Sequence, residues 1–348
     1  MGRWVSRAAA IAALVCLAVA ACFGIQAPWS LWGWAMLVSC AVLAGAGLAG
    51  AARIRRVLRL VGAGGLAMLV IVRLVAASGG AQISLLTLPG GTSSRWLGRV
   101  VDEQDVSLLG ARPLTWSWRM TREEREGLPH EMRAAYAEMR AAIGTFPSPV
   151  LDTMLGRQAP AGFDAIVIEA PEQRSPGTAV VFLHGYGGSF TVECWLVARA
   201  AQSIGAVTVC PATGFAARWS GRDGERIVGA TLEYLHGRGI RRVYLAGLSN
   251  GASGAAALAP RLAPSLAGLI LISGAPSAGT AAGLPALVIH GERDMTASAL
   301  AAHAFATRNG ARYAAFDGGH FVLLMRREET RAAIADWLTR REAGRSPP

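Results

Sequence analysis

Apolar positions in the first 87 residues follow one another without the alternation of a strand or the one-sided spacing of a surface helix. Three such runs, at about 8–25, 29–52 and 57–77, are separated by short polar breaks, and no Asp or Glu precedes Leu88. Each run is long enough to cross a hydrocarbon layer of roughly 30 Å as a helix rising ~1.5 Å per residue. The pattern predicts a transmembrane anchor over 1–87. Arg73 lies inside the third run, where only snorkelling to the nearer interface makes a charge tolerable.

The stretch 88–162 has no repeat and no chemical motif. A helical pattern covers 121–142, with Glu123 and Glu124 near its start, and Pro129 is expected to divide it in two. Pro147 and Pro149 mark a loop. This stretch reads as a connector that packs on the domain after it and shapes one wall of that domain's pocket.

From 163 to 341 the pattern becomes regular. Strand candidates at 163–169, 179–183, 206–210, 243–246, 269–272, 286–289 and 312–316 alternate with helix-length segments such as 192–203, 225–236 and 298–309. Such alternation predicts an α/β domain with a doubly wound, mostly parallel sheet, its functional groups at the carboxyl ends of the strands. Residues 342–348 read as a disordered tail.

Charge sharpens the picture of the anchor. All 34 basic residues are Arg, and seven of them lie before Leu88, leaving 27 against 23 acidic residues in the remainder. The basic total is therefore partly an orientation signal and not a nucleic-acid footprint. Arg3 and Arg7 precede the first run, Arg53, Arg55, Arg56 and Arg59 cluster between the second and third, and the link at 26–28 is uncharged. Positive segments stay in the cytoplasm. The chain is thus expected to be an integral protein of a bacterial inner (plasma) membrane. Trp29, Trp32 and Trp34 would lie near the outer interface, and the domain after the third span would be extracytoplasmic. Val19-Ala20-Ala21-Cys22 also fits a lipoprotein cleavage box, a reading made redundant by the two spans after it.

Of five cysteines, Cys16, Cys22 and Cys40 fall in apolar runs. Cys194 and Cys210 show no metal-ligand spacing, and no metal or organic cofactor is expected. Both fall near the carboxyl edge of the expected sheet, so in an oxidising compartment they could pair; two free buried thiols are the alternative.

The candidate chemistry centres on Gly247-Leu248-Ser249-Asn250-Gly251, which follows an apolar run and opens into a helical segment rich in small residues. It fits the Gly-x-Ser-x-Gly elbow that lifts a nucleophilic serine above a sheet. Upstream, Val180-Val181-Phe182-Leu183 runs into His184-Gly185-Tyr186-Gly187-Gly188, a glycine loop able to offer backbone N–H groups to an oxyanion. Downstream, Asp294 follows the 286–289 strand and His320 follows the last one, with Glu292 a competitor for the acid. Asp317 reads as loop capping, and His184 and His290 as structural residues at strand ends.

On these motifs, the stretch from about 163 to 340 resembles the α/β-hydrolase superfamily, serine esterases and lipases among them. The resemblance implies Ser249 as nucleophile, His320 as general base and Asp294 as the residue that orients it, in the chain order typical of that fold. It implies oxyanion donors at Tyr186 and Asn250, with Gly187 a possible substitute for Tyr186. Few residues separate 272 from 286, where many members insert a lid, so the pocket is expected to be open. Phe215 and Trp219, in the loop at 212–223, are candidate walls.

The resulting expectation is a membrane-anchored serine hydrolase, an esterase or lipase, that cleaves an ester, thioester or amide of a small or lipid-like acyl substrate through an acyl-enzyme. An acyltransferase or a peptidase could use the same triad. A non-catalytic receptor or scaffold on the same fold is the alternative of another class.

Overall fold

The computed structural model describes residues 2–26, 29–77, 82–93, 95–171 and 177–344. Residues 27 and 28 of the uncharged link, and 345–348 of the expected tail, lie outside them. Three helices open the chain, α1 (Gly2–Gln26), α2 (Leu31–Ala46) and α3 (Ala52–Ala76). They correspond to the three apolar runs, but three spans are not shown. Run two stops at Ala46 because Gly47 and Leu48 form a turn, leaving 16 residues, or about 24 Å of helix. Among the described residues one helix, α3, is long and apolar enough to cross a membrane by length and composition, while Arg7–Cys22 and Leu31–Ala46 are apolar but shorter.

Strand β1 (Ile83–Leu88) begins the sheet within the stretch expected to belong to the anchor, and pairs antiparallel with β3 (Phe163–Ile168) and with the short β2 (Thr92–Ser93). Four helices lie between β2 and β3: α4 (Leu97–Val100), α5 (Glu103–Leu114), α6 (Arg122–Ile143) and α7 (Val150–Met154). Pro129 does not divide α6. Thr121 and Glu124 form a reciprocal capping box at its start, and Leu128, Met132, Ala135, Tyr136 and Met139 bury one face against the core. That burial offsets the roughly 3 kcal/mol cost of an interior proline.

The remaining elements alternate: β4 (Thr178–Leu183), α8 (Thr191–Ala201), β5 (Val207–Pro211), α9 (Arg222–Gly237), β6 (Arg242–Leu248), α10 (Asn250–Leu262), β7 (Gly268–Ile272), β8 (Ala286–Gly291), α11 (Ala299–Asn309), β9 (Arg312–Phe316), α12 (Val322–Met325) and α13 (Arg327–Ala343). Among the described residues nine strands lie in the order β2-β1-β3-β5-β4-β6-β7-β8-β9. From β5 to β9 every pairing is parallel, and the β2-β1-β3 edge is antiparallel. The central strands β4, β6, β7 and β8 are buried along almost their whole length, as their continuous apolar runs require when both faces are covered. One core joins α5, α6, α8, α12 and α13 to the sheet, and the other joins α9, α10 and α11. Glu342, expected in the tail, is in α13, and its Oε1 accepts 2.6 Å bonds from Arg242 Nε and the Tyr244 hydroxyl.

The connector is fastened at both ends. Glu103, fully buried, accepts bonds from the Thr191 and Val192 N–H groups at the start of α8, from Tyr136 and from Ser148. Asp105 accepts from the Ser30 N–H (2.8 Å) and hydroxyl (2.6 Å), so α5 holds the residue that caps α2. Arg73, in the last turn of α3, donates to the Val101 carbonyl at 3.2 Å and lies 4.0 Å from Asp102, which Arg140 also grips. The charge inside the third run thus lies at the helix end, paired with the sheet domain.

Candidate active site

Strand β6 ends at Leu248 and α10 begins at Asn250, which leaves Ser249 alone to make the turn, with φ 54° and ψ −115°. A non-glycine residue held at positive φ costs of order 1–3 kcal/mol and persists only where its surroundings enforce it. The enforcement is steric and local. A Cβ on Gly247 would lie 2.3 Å from the Gly251 backbone, and one on Gly251 would lie 2.0 Å from the Leu183 carbonyl oxygen, so both glycines are needed for the crossing of β6, α10 and β4. The Ser249 N–H donates to the Ile272 carbonyl at 2.8 Å, tying the elbow to β7.

His320, in the loop after β9, brings Nε2 to 2.9 Å from Ser249 Oγ and Nδ1 to 2.8 Å from Asp294 Oδ2. Asp294 Oδ1 accepts from the Thr296 and Ala297 N–H groups at 2.7 and 2.9 Å. Burial works against ionisation of Asp294, yet the His320 hydrogen bond and charge, aided by those two N–H groups, hold its carboxyl below the usual range. Glu292, the competitor for this role, is exposed, and exposed Asp317 pairs with Arg293 at 2.7 Å. The structure therefore brings Ser249, Asp294 and His320 together and leaves the two other acids outside.

Two features of this cluster were not read from the sequence. His290, expected only as a structural residue at a strand end, brings Nε2 to 3.3 Å from Asp294 Oδ2 and 3.2 Å from the Ala297 carbonyl. Burial depresses its pKa, so it meets the acid as a neutral N–H donor. Its spacing of four residues from Asp294, across the end of β8, was the available signal. Glu124, from the connector, accepts a 2.8 Å bond from the Phe321 N–H beside His320. No local pattern could have joined residues 197 apart in sequence.

The N–H groups expected to face an oxyanion differ in their partners. Among the described residues the Tyr186 and Asn250 N–H groups have no hydrogen-bond partner, and Asn250 stands at the first position of α10, where the helix dipole favours negative charge. Gly187 must be corrected: its N–H donates to the Phe215 carbonyl at 3.0 Å and is spent on the loop. His184 sits beneath, fully buried. Its Nε2 accepts from the Thr213 N–H at 3.1 Å while Nδ1 meets the Gly185 carbonyl at 2.8 Å, which fixes the tautomer with hydrogen on Nδ1. Burial lowers its pKa to about 4.

A cavity of about 450 Å³ opens over Ser249 and His320. Its floor and far wall are Gly185, Tyr186, Leu248, Asn250, Phe321, Leu323 and Leu324, and the connector closes one side with Leu114, Ser117, Arg119 and Met120. The expected pocket walls need correcting. Trp219 is fully buried, donates Nε1–H to the His184 carbonyl at 3.0 Å and packs on Gly254, so it supports the glycine loop from behind. Phe215 stacks edge-on against Tyr186 at 4.9 Å and is not part of the cavity wall. Glu193 does line the cavity, and its Oε2 is buried without a partner. Among the described residues no group of three or more His, Cys, Asp or Glu side chains is arranged to hold a metal ion.

A serine hydroxyl within hydrogen-bond reach of an imidazole, whose other nitrogen is held by an ionised carboxylate, is equipped for nucleophilic attack with general-base assistance. No protein-family profile matches the sequence. No curated protein matches it either. Among solved structures the chain is similar to Est1E from Butyrivibrio proteoclasticus with ferulic acid bound, at 14% identity and a TM-score of 0.45, covering 52% of this chain and 96% of that one. It is similar also to XC6422 from Xanthomonas campestris, described as an α/β serine hydrolase without a lid, at 18% identity and a TM-score of 0.44, over 53% and 92% of the two chains. Carboxylesterase CesB from Bacillus subtilis is similar at 13% identity and a TM-score of 0.41, over 51% and 88%.

Proposed function

We propose that the chain is a membrane-anchored serine hydrolase of the α/β-hydrolase type, an esterase or lipase working through an acyl-enzyme. The observation that carries this reading is the continuous hydrogen-bonded line Ser249–His320–Asp294, with spacings of 2.9 and 2.8 Å. Ser249 Oγ attacks the substrate carbonyl carbon as its proton passes to His320 Nε2. Asp294 stabilises the imidazolium that forms. The carbonyl oxygen, now negative, accepts from the Tyr186 and Asn250 N–H groups, each donor contributing on the order of 2.7–4 kcal/mol to the lowering of the barrier. The tetrahedral adduct expels the alcohol, thiol or amine, which takes the proton from His320. Water then enters by the same route, giving its proton to His320 as it attacks the acyl carbon, and the acid leaves with Ser249 restored.

The apolar lining of the cavity, Leu114, Met120, Leu248, Phe321, Leu323 and Leu324, favours an acyl group over a peptide. Membrane anchoring is supported by the length and apolarity of α3. An extracytoplasmic catalytic domain is supported by the arginine cluster at 53–59 and by the Cys194–Cys210 disulfide, a bond characteristic of oxidising compartments.

Fluorophosphonate labelling of the purified chain tests the mechanism. Label on wild type, lost in Ser249→Ala and in His320→Ala with the fold retained, is the expected result. Undiminished labelling of Ser249→Ala would overturn the reading. Product analysis against acyl esters of graded chain length, with and without an added alcohol, separates hydrolysis from acyl transfer.

A further inference from the structure

We propose that the end of α5 and the loop joining it to α6 form a bilayer-contacting surface, across which a membrane lipid ester passes its acyl chain into the Ser249 cavity. This rests on the hydrolase reading and names the substrate class that reading leaves open. Within ten residues four large apolar side chains stand exposed: Leu109 at 37%, Leu114 at 46%, Trp116 at 68% and Trp118 at 73%. Single exposed apolar residues are ordinary, whereas a cluster of them marks a contact surface. Two tryptophans in such a cluster favour the headgroup level of a bilayer, where the ring is half apolar and half wet.

Charge fits the same partner. From Val106 to Thr121 the chain has no acidic residue, and Arg119 sets its guanidinium 5.3 Å from the Trp118 ring. Cationic side chains beside interfacial aromatics suit anionic lipid headgroups.

Position supplies the third argument. The start of α5 is the point where the anchor is fastened, through Asp105 to Ser30 at the head of α2, with Arg73 at the foot of α3 meeting Val101 and Asp102 just before it. The 12 residues of α5 span about 18 Å, so its far end, where the loop begins, lies no more than about that distance from the fastening point. The same loop forms the near wall of the cavity with Leu114, Ser117, Arg119 and Met120. An acyl chain leaving the bilayer at Trp116 and Trp118 would enter the cavity past Leu114 and Met120, with Leu323 and Leu324 among its other lining residues.

The test uses the full chain reconstituted in vesicles containing phosphatidylglycerol, comparing wild type with the double variant Trp116→Ser/Trp118→Ser. Neither tryptophan lines the cavity. The variant is expected to hydrolyse a soluble short-chain ester at an unchanged rate and a long-chain glycerolipid ester in the vesicle about ten-fold more slowly. Quenching of tryptophan emission by brominated lipids should fall in the variant by the share of those two rings. Equal rates on the vesicle ester, or equal losses on both esters, would overturn the proposal. Quenching unaltered by the substitutions would also overturn it, and would leave a protein partner as the occupant of this surface. If wild type hydrolyses neither ester the hydrolase reading fails, and the quenching comparison still decides the surface.

Discussion

Glu124 Oε1 accepts a 2.8 Å hydrogen bond from the Phe321 N–H, while Glu124 Oε2 accepts from the Thr121 N–H at 2.9 Å. One carboxylate thus joins the start of α6, in the connector, to the residue after His320. The carboxylate is 1% exposed, and a Cβ on Gly319 would lie 2.0 Å from it, so the loop carrying the base is moulded around this group.

On the proposed mechanism Glu124 positions His320, and Glu124→Ala should lower kcat more than KM. A displacement of about 1 Å in a reacting group costs on the order of 10²-fold. Stability should fall by about 1–3 kcal/mol, because the Phe321 N–H loses its partner. Glu124→Gln keeps an acceptor oxygen for Phe321 and should restore most of kcat. Steady-state kinetics on a soluble ester checks this, and loss of stability with kcat intact in Glu124→Ala would remove the positioning role.

Asp294→Asn should give a folded protein whose kcat falls about 10⁴-fold. The amide can donate to His320 Nδ1 and so favours the tautomer that leaves Nε2 without an acceptor lone pair for the serine proton. Fluorophosphonate labelling rates, slow in the variant and fast in wild type at the same pH, read the effect without a substrate.

The elbow was legible because its requirements are local. Gly247 and Gly251 flank Ser249 within five residues, and the steric reason for each lies in the crossing of one strand and one helix. The order of serine, acid and histidine was legible for a similar reason, since each follows a strand whose apolar run is plain. What escaped depends on which loops meet. Trp219 looks like a pocket residue in sequence, and only its bond to the His184 carbonyl reveals that it faces inward. The Gly187 N–H, expected as a substitute oxyanion donor, is taken by a carbonyl 28 residues away, at Phe215. Strand β1 escaped because Ile83-Ser84-Leu85-Leu86-Thr87-Leu88 overlaps the stretch 1–87 read as anchor, and its pairing with β3 is a long-range contact.

Glu193 carries a pH dependence. Burial, with the Glu103 carboxylate nearby, pushes its pKa from the ordinary 4.5 up to about 8. The folded state therefore keeps a proton that the unfolded state gives up above 4.5. Stability contributed by this group falls as pH rises from 4.5 and levels off near 8, where both states are ionised. Glu193→Gln cannot ionise, so its advantage over wild type should be small at pH 4.5 and grow to more than about 1 kcal/mol by pH 8, or roughly 2–4 °C in Tm for each kcal/mol. Thermal unfolding at the two pH values decides it. A difference that does not change with pH would mean that Glu193 ionises freely in the folded state.

Cys194 and Cys210 are bonded across 16 residues, linking the first turn of α8 to the end of β5. Closing a loop of that length is worth about 3 kcal/mol through the unfolded state. Cys194→Ser/Cys210→Ser should lower the unfolding free energy by that order. Alkylation of the denatured, unreduced protein should find three thiols, at Cys16, Cys22 and Cys40. Five would exclude the bond.

If the chain is anchored as proposed, its topology follows from which ends of the helices touch the sheet domain. Ser30 at the head of α2 and Arg73 in the last turn of α3 both bond to the 101–105 stretch, so these two ends lie on the catalytic side. The turn between α2 and α3 lies at the opposite ends of those helices, and Arg53, Arg55, Arg56 and Arg59 cluster just beyond it. Helix α3, at 25 residues, separates the two sides by about 37 Å. On the proposed membrane anchoring, positive clusters remain in the cytoplasm and the sheet domain would face outward. A reporter active only outside the cytoplasm should therefore be silent when fused after Arg56 and active when fused after Gly344. Activity at neither position would turn the catalytic domain inward, and the Cys194–Cys210 bond would then have to form in a reducing compartment, which the thiol count on protein taken directly from cells would expose.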